Sequence, residues 1–117
     1  MANIKRISGM IFLIIENDQI MDFYHRIQYY IDSNNLREYS GLIKYKFESD
    51  FVKDFYGRML YKFKDNTFYN FQGQILYFIK GEWVTDFYGR YQCKIDGYLN
   101  NTEKAFLLSL LYQGEIK

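Results

Sequence analysis

The pentapeptide Asp54-Phe55-Tyr56-Gly57-Arg58 recurs as Asp86-Phe87-Tyr88-Gly89-Arg90 and, with one change, as Asp22-Phe23-Tyr24-His25-Arg26. The three copies start 32 residues apart, and the chain between them repeats as well. A fixed period of tens of residues marks a repeat architecture and outranks any local reading. Here the underlying period is 16, and six copies align without a gap over 7–22, 23–38, 39–54, 55–70, 71–86 and 87–102. The third position of a copy is Gly9, Gly41, Gly57, Gly73 or Gly89, with His25 the exception.

Within each copy the fifth, seventh and ninth positions are aromatic or aliphatic in nearly every case. The seventh runs Leu13, Tyr29, Tyr45, Tyr61, Tyr77, Cys93, and the ninth runs Ile15, Ile31, Phe47, Phe63, Ile79, Ile95. A spacing of two in β-branched and aromatic residues is one face of a β-strand. Polar clusters follow, such as Glu16-Asn17-Asp18 and Lys64-Asp65-Asn66, and these favour a tight reversal. A second, shorter strand carries an apolar fourteenth position (Ile20, Leu36, Val52, Phe68, Val84). It runs into Asp-Phe-Tyr-Gly or its equivalent, and Asp first with Gly fourth is the preferred pattern of a type I turn. Each copy therefore reads as a β-hairpin, and six hairpins make about twelve antiparallel strands. Residues 20–31 have helical spacing when viewed alone, but their register match with the other copies favours strand.

Even copies differ from odd ones. Asp22, Asp54 and Asp86 precede them, they begin Phe-Tyr, and their fourth position is Arg26, Arg58 or Arg90. Odd copies have Ser8, Ser40 and Gln72 where even copies have Tyr24, Tyr56 and Tyr88. The full unit is thus 32 residues, present three times. The expected architecture is all-β, with six hairpins grouped as three units closed around a pseudo-three-fold axis. Closure is favoured over an open meander because it removes strand edges that would otherwise aggregate. Residues 103–117 leave the pattern. Thr102 is a candidate cap for a helix with Glu103 in its first turn and Ala105, Phe106, Leu107, Leu108, Leu110 and Leu111 in its body, stopping near Gly114. A terminal strand over Phe106 to Tyr112 is the competing reading. A helix apolar on most of its circumference must be covered by the sheet or by another subunit.

The hairpin pattern of 7–102, clearest in the stretch NFQGQILYFIKGEWVTDFYG at 70–89, resembles the small bacterial four-fold β-flower repeat family. The resemblance implies an all-β petal arrangement and no particular chemistry. MORN repeats also build hairpins around Gly and aromatic residues, with a longer unit richer in Gly.

At 117 residues the chain is one domain, and its 13 Tyr and 11 Phe are far more than a disordered chain carries. A formal charge of +1 gives no electrostatic case for nucleic acid or an anionic membrane, so neither is expected as a partner. The lone Cys93 has no disulfide partner in the chain, and the apolar run Met10 to Ile15 is too short to span a membrane; a cytoplasmic location is expected. His25 and Cys93 occupy different repeat positions with no motif around them, reading as a turn residue and a buried apolar one. No metal-ligand spacing, phosphate loop or nucleophile elbow is present in the sequence, so no cofactor is expected.

The candidate binding residues are Asp22, Tyr24 and Arg26, Asp54, Tyr56 and Arg58, Asp86, Tyr88 and Arg90, with Trp83 as a possible aromatic anchor. Arg offers a planar fork of donors and Tyr a flat face with a hydroxyl, a pairing suited to a carboxylate, phosphate, sugar or protein. The structural alternative is that Asp caps its turn while Arg pairs with it or lies over Tyr. The leading functional expectation is a non-catalytic binding or protein-interaction module, oligomeric through the apolar C-terminal segment. An assembly protein whose repeats only present an oligomerisation surface is the alternative, and an enzyme using an Asp-Tyr-Arg cluster for acid and base work is the least favoured.

Overall fold

Every run that the period marks as a strand is flanked by a residue able to hold a left-handed backbone, and each such place is a reversal in the computed structural model, which describes residues 1–115. The strands are β1 (Ala2–Lys5), β2 (Ile11–Glu16), β3 (Gln19–Asp22), β4 (Ile27–Asp32), β5 (Asn35–Glu38) and β6 (Ile43–Glu48). They continue as β7 (Phe51–Lys53), β8 (Met59–Lys64), β9 (Thr67–Asn70), β10 (Ile75–Lys80), β11 (Trp83–Asp86) and β12 (Tyr91–Gly97), followed by α1 (Asn101–Gln113). Each strand pairs antiparallel with its sequence neighbours, and β1 pairs with both β2 and β12. The result is a closed twelve-stranded barrel, 37 × 33 × 21 Å in extent. Residues 20–31 are strand, turn and strand, as their register requires.

Closure comes from a segment that lies outside the repeat. The sixth copy makes only β12, since residues 98–100 depart toward α1. Its missing second strand is supplied by β1, in which Ile4 faces Ile95 on one side and Leu13 on the other. Ile20 stands in the same relation to Ile15 and Tyr29, so Ile4 takes a fourteenth-position place. Arg6 then stands where Asp22 stands in the next turn, with the same pair of backbone hydrogen bonds around it. Residues 1–6 thus complete the ring that residues 97–102 leave open.

The interior is layered by repeat position. The seventh-position residues other than the half-buried Tyr29, the ninth-position residues and the fourteenth-position set Ile4, Ile20, Leu36, Val52, Phe68 and Val84 form one core, the last set having no exposed surface. The fifth position was expected on this face but does not belong to the core, and Met59 and Tyr91 there are exposed. The register shifts by one residue in each of the six strand pairs that flank the pentapeptide turns and their equivalents. Such a bulge reverses which side chains face inward beyond it. Phe12, Leu60 and Leu76, at the sixth position, consequently pack against the core instead.

A barrel of eight strands is filled by its own side chains, and a wider one leaves space. Here α1 takes that space. Ala105, Phe106, Leu107, Leu108, Ser109 and Leu110 are all fully buried, and six consecutive residues cover every direction around a helix. The helix is therefore enclosed by this chain's own strands, which withdraws the expected route to oligomers through the C-terminal segment. Its cap is Asn100, not Thr102: Asn100 Oδ1 accepts from the Glu103 N–H at 2.8 Å and Glu103 Oε1 from the Asn100 N–H at 2.9 Å. This reciprocal pair is a capping box. Gly114 ends the helix in a left-handed conformation, φ 71°.

An up-and-down barrel sorts its connections onto two rims. The turns at 6–10, 22–26, 38–42, 54–58, 70–74 and 86–90 lie on one, here called the station rim, and the tight hairpin turns lie on the other. The hairpin rim carries Glu16, Asp18, Asp32, Glu48, Asp50, Asp65, Glu82 and Asp96 against Lys64, Lys80 and Lys104, and Asp32, Glu82 and Asp96 are paired with Arg37, Lys94 and Lys5. On the turns of the station rim Arg6, Arg26, Arg58 and Arg90 balance Asp22, Glu38, Asp54 and Asp86, and Arg37 reaches in from β5 to the Gly41 carbonyl. One rim is acidic and the other neutral.

Candidate functional site

In each Asp-Phe-Tyr-x-Arg station the Asp carboxylate organises the turn. Asp54 Oδ1 accepts from the N–H groups of Tyr56 and Arg58, both at 2.9 Å, and Oδ2 accepts from Arg58 Nε at 2.6 Å. Asp22 and Asp86 bind their own Tyr and Arg with the same atoms, the side-chain bond being 2.7 Å in both. The fourth-place N–H donates to the Asp carbonyl at 3.0 Å, closing a β-turn whose last residue, Gly57, Gly89 or His25, has positive φ. His25 at φ 63° shows why this place is otherwise Gly: the left-handed region is costly for a residue with Cβ. The Asn70 station makes the same two backbone bonds through its amide oxygen.

What the turn holds in place is exposed. The Asp side chains are 16–21% exposed, whereas their Arg partners are 72–75% exposed. Each Arg guanidinium lies over the adjacent Tyr ring at 5.3–5.8 Å, and each Phe meets that Tyr edge-on with centroids 5.4 Å apart. Tyr24, Tyr56 and Tyr88 are 73–80% exposed. The clusters therefore have the geometry of the structural alternative, Asp capping its turn while Arg both pairs with it and lies over Tyr, and they leave the Tyr and Arg side chains on the surface.

Partial desolvation opposes ionisation of the three Asp carboxyls, but the Arg backbone N–H, the guanidinium and the Tyr N–H together hold them below 3.8. A carboxyl lowered in the folded state stabilises it while ionised, and that contribution disappears as pH falls through the folded value. Thermal denaturation followed by circular dichroism should therefore show stability declining below pH 3.8. The combined Asp22→Asn, Asp54→Asn and Asp86→Asn variant should show a shallower acid decline and keep most of its neutral-pH Tm, because an amide oxygen still receives the backbone donors. The corresponding Ala variant should lose considerably more.

Sequence reasoning named only the even stations. The odd ones contribute Ile7, Met10, Tyr39, Leu42 and Phe71 to the same rim, all exposed. The available signal was that the first position of every copy is aromatic or aliphatic. Among the described residues, 11 large apolar side chains stand exposed on the station rim. Trp83 is not among them. It lies on the outer wall in β11, half-buried, stacked on Tyr91 at 4.7 Å with Lys94 over its ring, and the structure does not bring it to the stations.

A cavity of about 720 Å³ opens beside the 22–26 station, lined in part by Asp22, His25, Arg26, Gln28, Tyr39 and Glu115. Glu115 is held by Lys44 at 2.7 Å and accepts from the Tyr29 hydroxyl, and burial with this carboxylate pushes Tyr29 up to about 12. Gln113 donates to the Tyr61 hydroxyl, so the end of α1 is tied to the barrel wall near this rim. Cys93 is buried, which pushes its thiol up to about 12. Among the described residues no group of three His, Cys, Asp or Glu side chains is placed to hold a metal ion, and no helix is long and apolar enough to cross a membrane. Comparison with protein-family models, with curated proteins and with solved structures finds no match.

Proposed function

We propose that this protein is a non-catalytic protein-recognition module that engages its partner through the station rim. The observation that carries this reading is the one-sided exposure of the 11 large apolar side chains in turns of uniform geometry. Monomeric proteins rarely leave contiguous apolar patches beyond a few hundred Å² uncovered. Tyr and Arg, the residues held outermost in three of the stations, are also those enriched where binding energy concentrates. The rigid support is a plugged, edgeless barrel, so the surface is preorganised and little ordering entropy opposes binding.

A photo-crosslinking residue placed at Tyr56 in the native cell should form a discrete protein adduct, while the same residue at Lys64 on the hairpin rim should not. Equal labelling from both positions, or none from either, would refute the reading.

A further inference from the structure

We infer that the partner of the station rim is a second copy of this chain, docked rim to rim about a two-fold axis; this rests on the recognition reading above and specifies it. Three observations select this occupant. The first is area. Eleven side chains, each more than half exposed, at roughly 150–250 Å² for an aromatic one, offer on the order of 1,000 Å², and a stable interface needs roughly 800 Å² from each partner.

The second is charge. Four Arg and four carboxylates on the turns of the station rim cancel, and three of the four Arg are already paired with their own Asp. Two such rims meet without like-charge repulsion. The hairpin rims keep an acidic excess even with Asp32, Glu82 and Asp96 paired, so their approach is disfavoured relative to that of the station rims. A neutral rim also lacks the basic excess that draws a protein to anionic lipid or nucleic acid.

The third is shape. At the second position of the six copies Tyr24, Tyr56 and Tyr88 alternate around the ring with the smaller Ser8, Ser40 and Gln72, while the first position is large and exposed in every copy. A copy turned over and offset by one station places each Tyr opposite a smaller Ser or Gln. The contact is isologous, so every pairing occurs twice and the assembly closes as a dimer. A flat lipid surface would give this alternation nothing to match.

Sedimentation equilibrium of the full chain tests the proposal. The wild type should be a dimer, and the combined Tyr24→Ser, Tyr56→Ser and Tyr88→Ser variant should dissociate, with Kd raised about 100-fold or more. The decisive variant is Ser8→Tyr with Ser40→Tyr, which adds apolar surface while setting Tyr opposite Tyr in the offset dimer. It should also weaken the dimer, by about tenfold or more. Circular dichroism should show both variants folded, since the altered side chains lie at exposed turn positions.

A wild type that stays monomeric up to about 1 mM overturns the inference, as does tighter association of the Ser→Tyr variant, which would mark unspecific stickiness. Cosedimentation of a monomer with phosphatidylcholine vesicles would overturn it too. If the chain is monomeric and a crosslinker at Tyr56 still captures a different protein, the second copy is refuted and the recognition reading alone survives.

Discussion

A chain lacking residues 1–6 should lose its cooperative thermal transition, although it retains all six repeat copies. β1 is the sole strand in contact with both β2 and β12, so its removal opens the barrel along its full height and leaves two edges unpaired. Ala2 and Ile4 are fully buried, and the gap would admit water to the core around α1. Ile4→Ala should cost about 2–5 kcal/mol, the range for deleting a buried aliphatic side chain. That is a large share of the roughly 5–15 kcal/mol a domain of this size possesses. Urea denaturation would measure it. Ile4→Asp should prevent folding, because an unpaired carboxylate would enter the core. Adding a peptide of residues 1–6 to the truncated chain should restore part of the native dichroism, since a strand can be supplied in trans by edge addition. A truncated chain that unfolds at the wild-type temperature would show that the ring does not depend on this strand.

Leu107→Asp should be as damaging as any single change in the repeats, although residue 107 belongs to none of them. The side chain is fully buried in a helix enclosed by the barrel, where no orientation reaches water. Leu107→Ala and Phe106→Ala should cost about 2–5 and 3–5 kcal/mol respectively, from lost burial and the cavity left behind. Asn101→Ala, exposed in the first turn of the same helix, serves as the control. Ending the chain at Asn100 should leave strands with no filling. The expected product is an expanded state that binds hydrophobic dyes and has lost its near-ultraviolet tyrosine signal. Retention of a sharp transition by that truncated chain would mean that the barrel collapses onto itself without the helix.

Much of this was legible in the primary structure because period and parity are local properties. Residues alternating at a spacing of two, reversed by Asn-Asp or Asp-Asn and again by Asp-x-x-Gly, leave the backbone little besides successive hairpins. The turn chemistry was readable for the same reason: Asp54 and Arg58 are four residues apart and meet through contacts within their own loop. The fifth-position residues were misplaced because one bulge per station inverts parity, and a bulge is a property of two strands in register, which one strand's sequence does not display.

The role of Met1 to Arg6 was hidden for a related reason. The segment has the apolar spacing of a second strand, yet its partner β12 lies some 90 residues away, and only the closing of the ring brings them together.

By itself, the order of residues determined the repeating hairpin and the Asp-led turns, and it favoured the terminal helix, since each depends on neighbours within a few residues. The tertiary structure alone decided that the ring shuts through its first strand, that the helix lies inside rather than against another subunit, and that every apolar turn gathers on one rim. Those outcomes follow from long-range pairing and from the space a twelve-stranded barrel must fill, and no stretch of the chain expresses either of them alone.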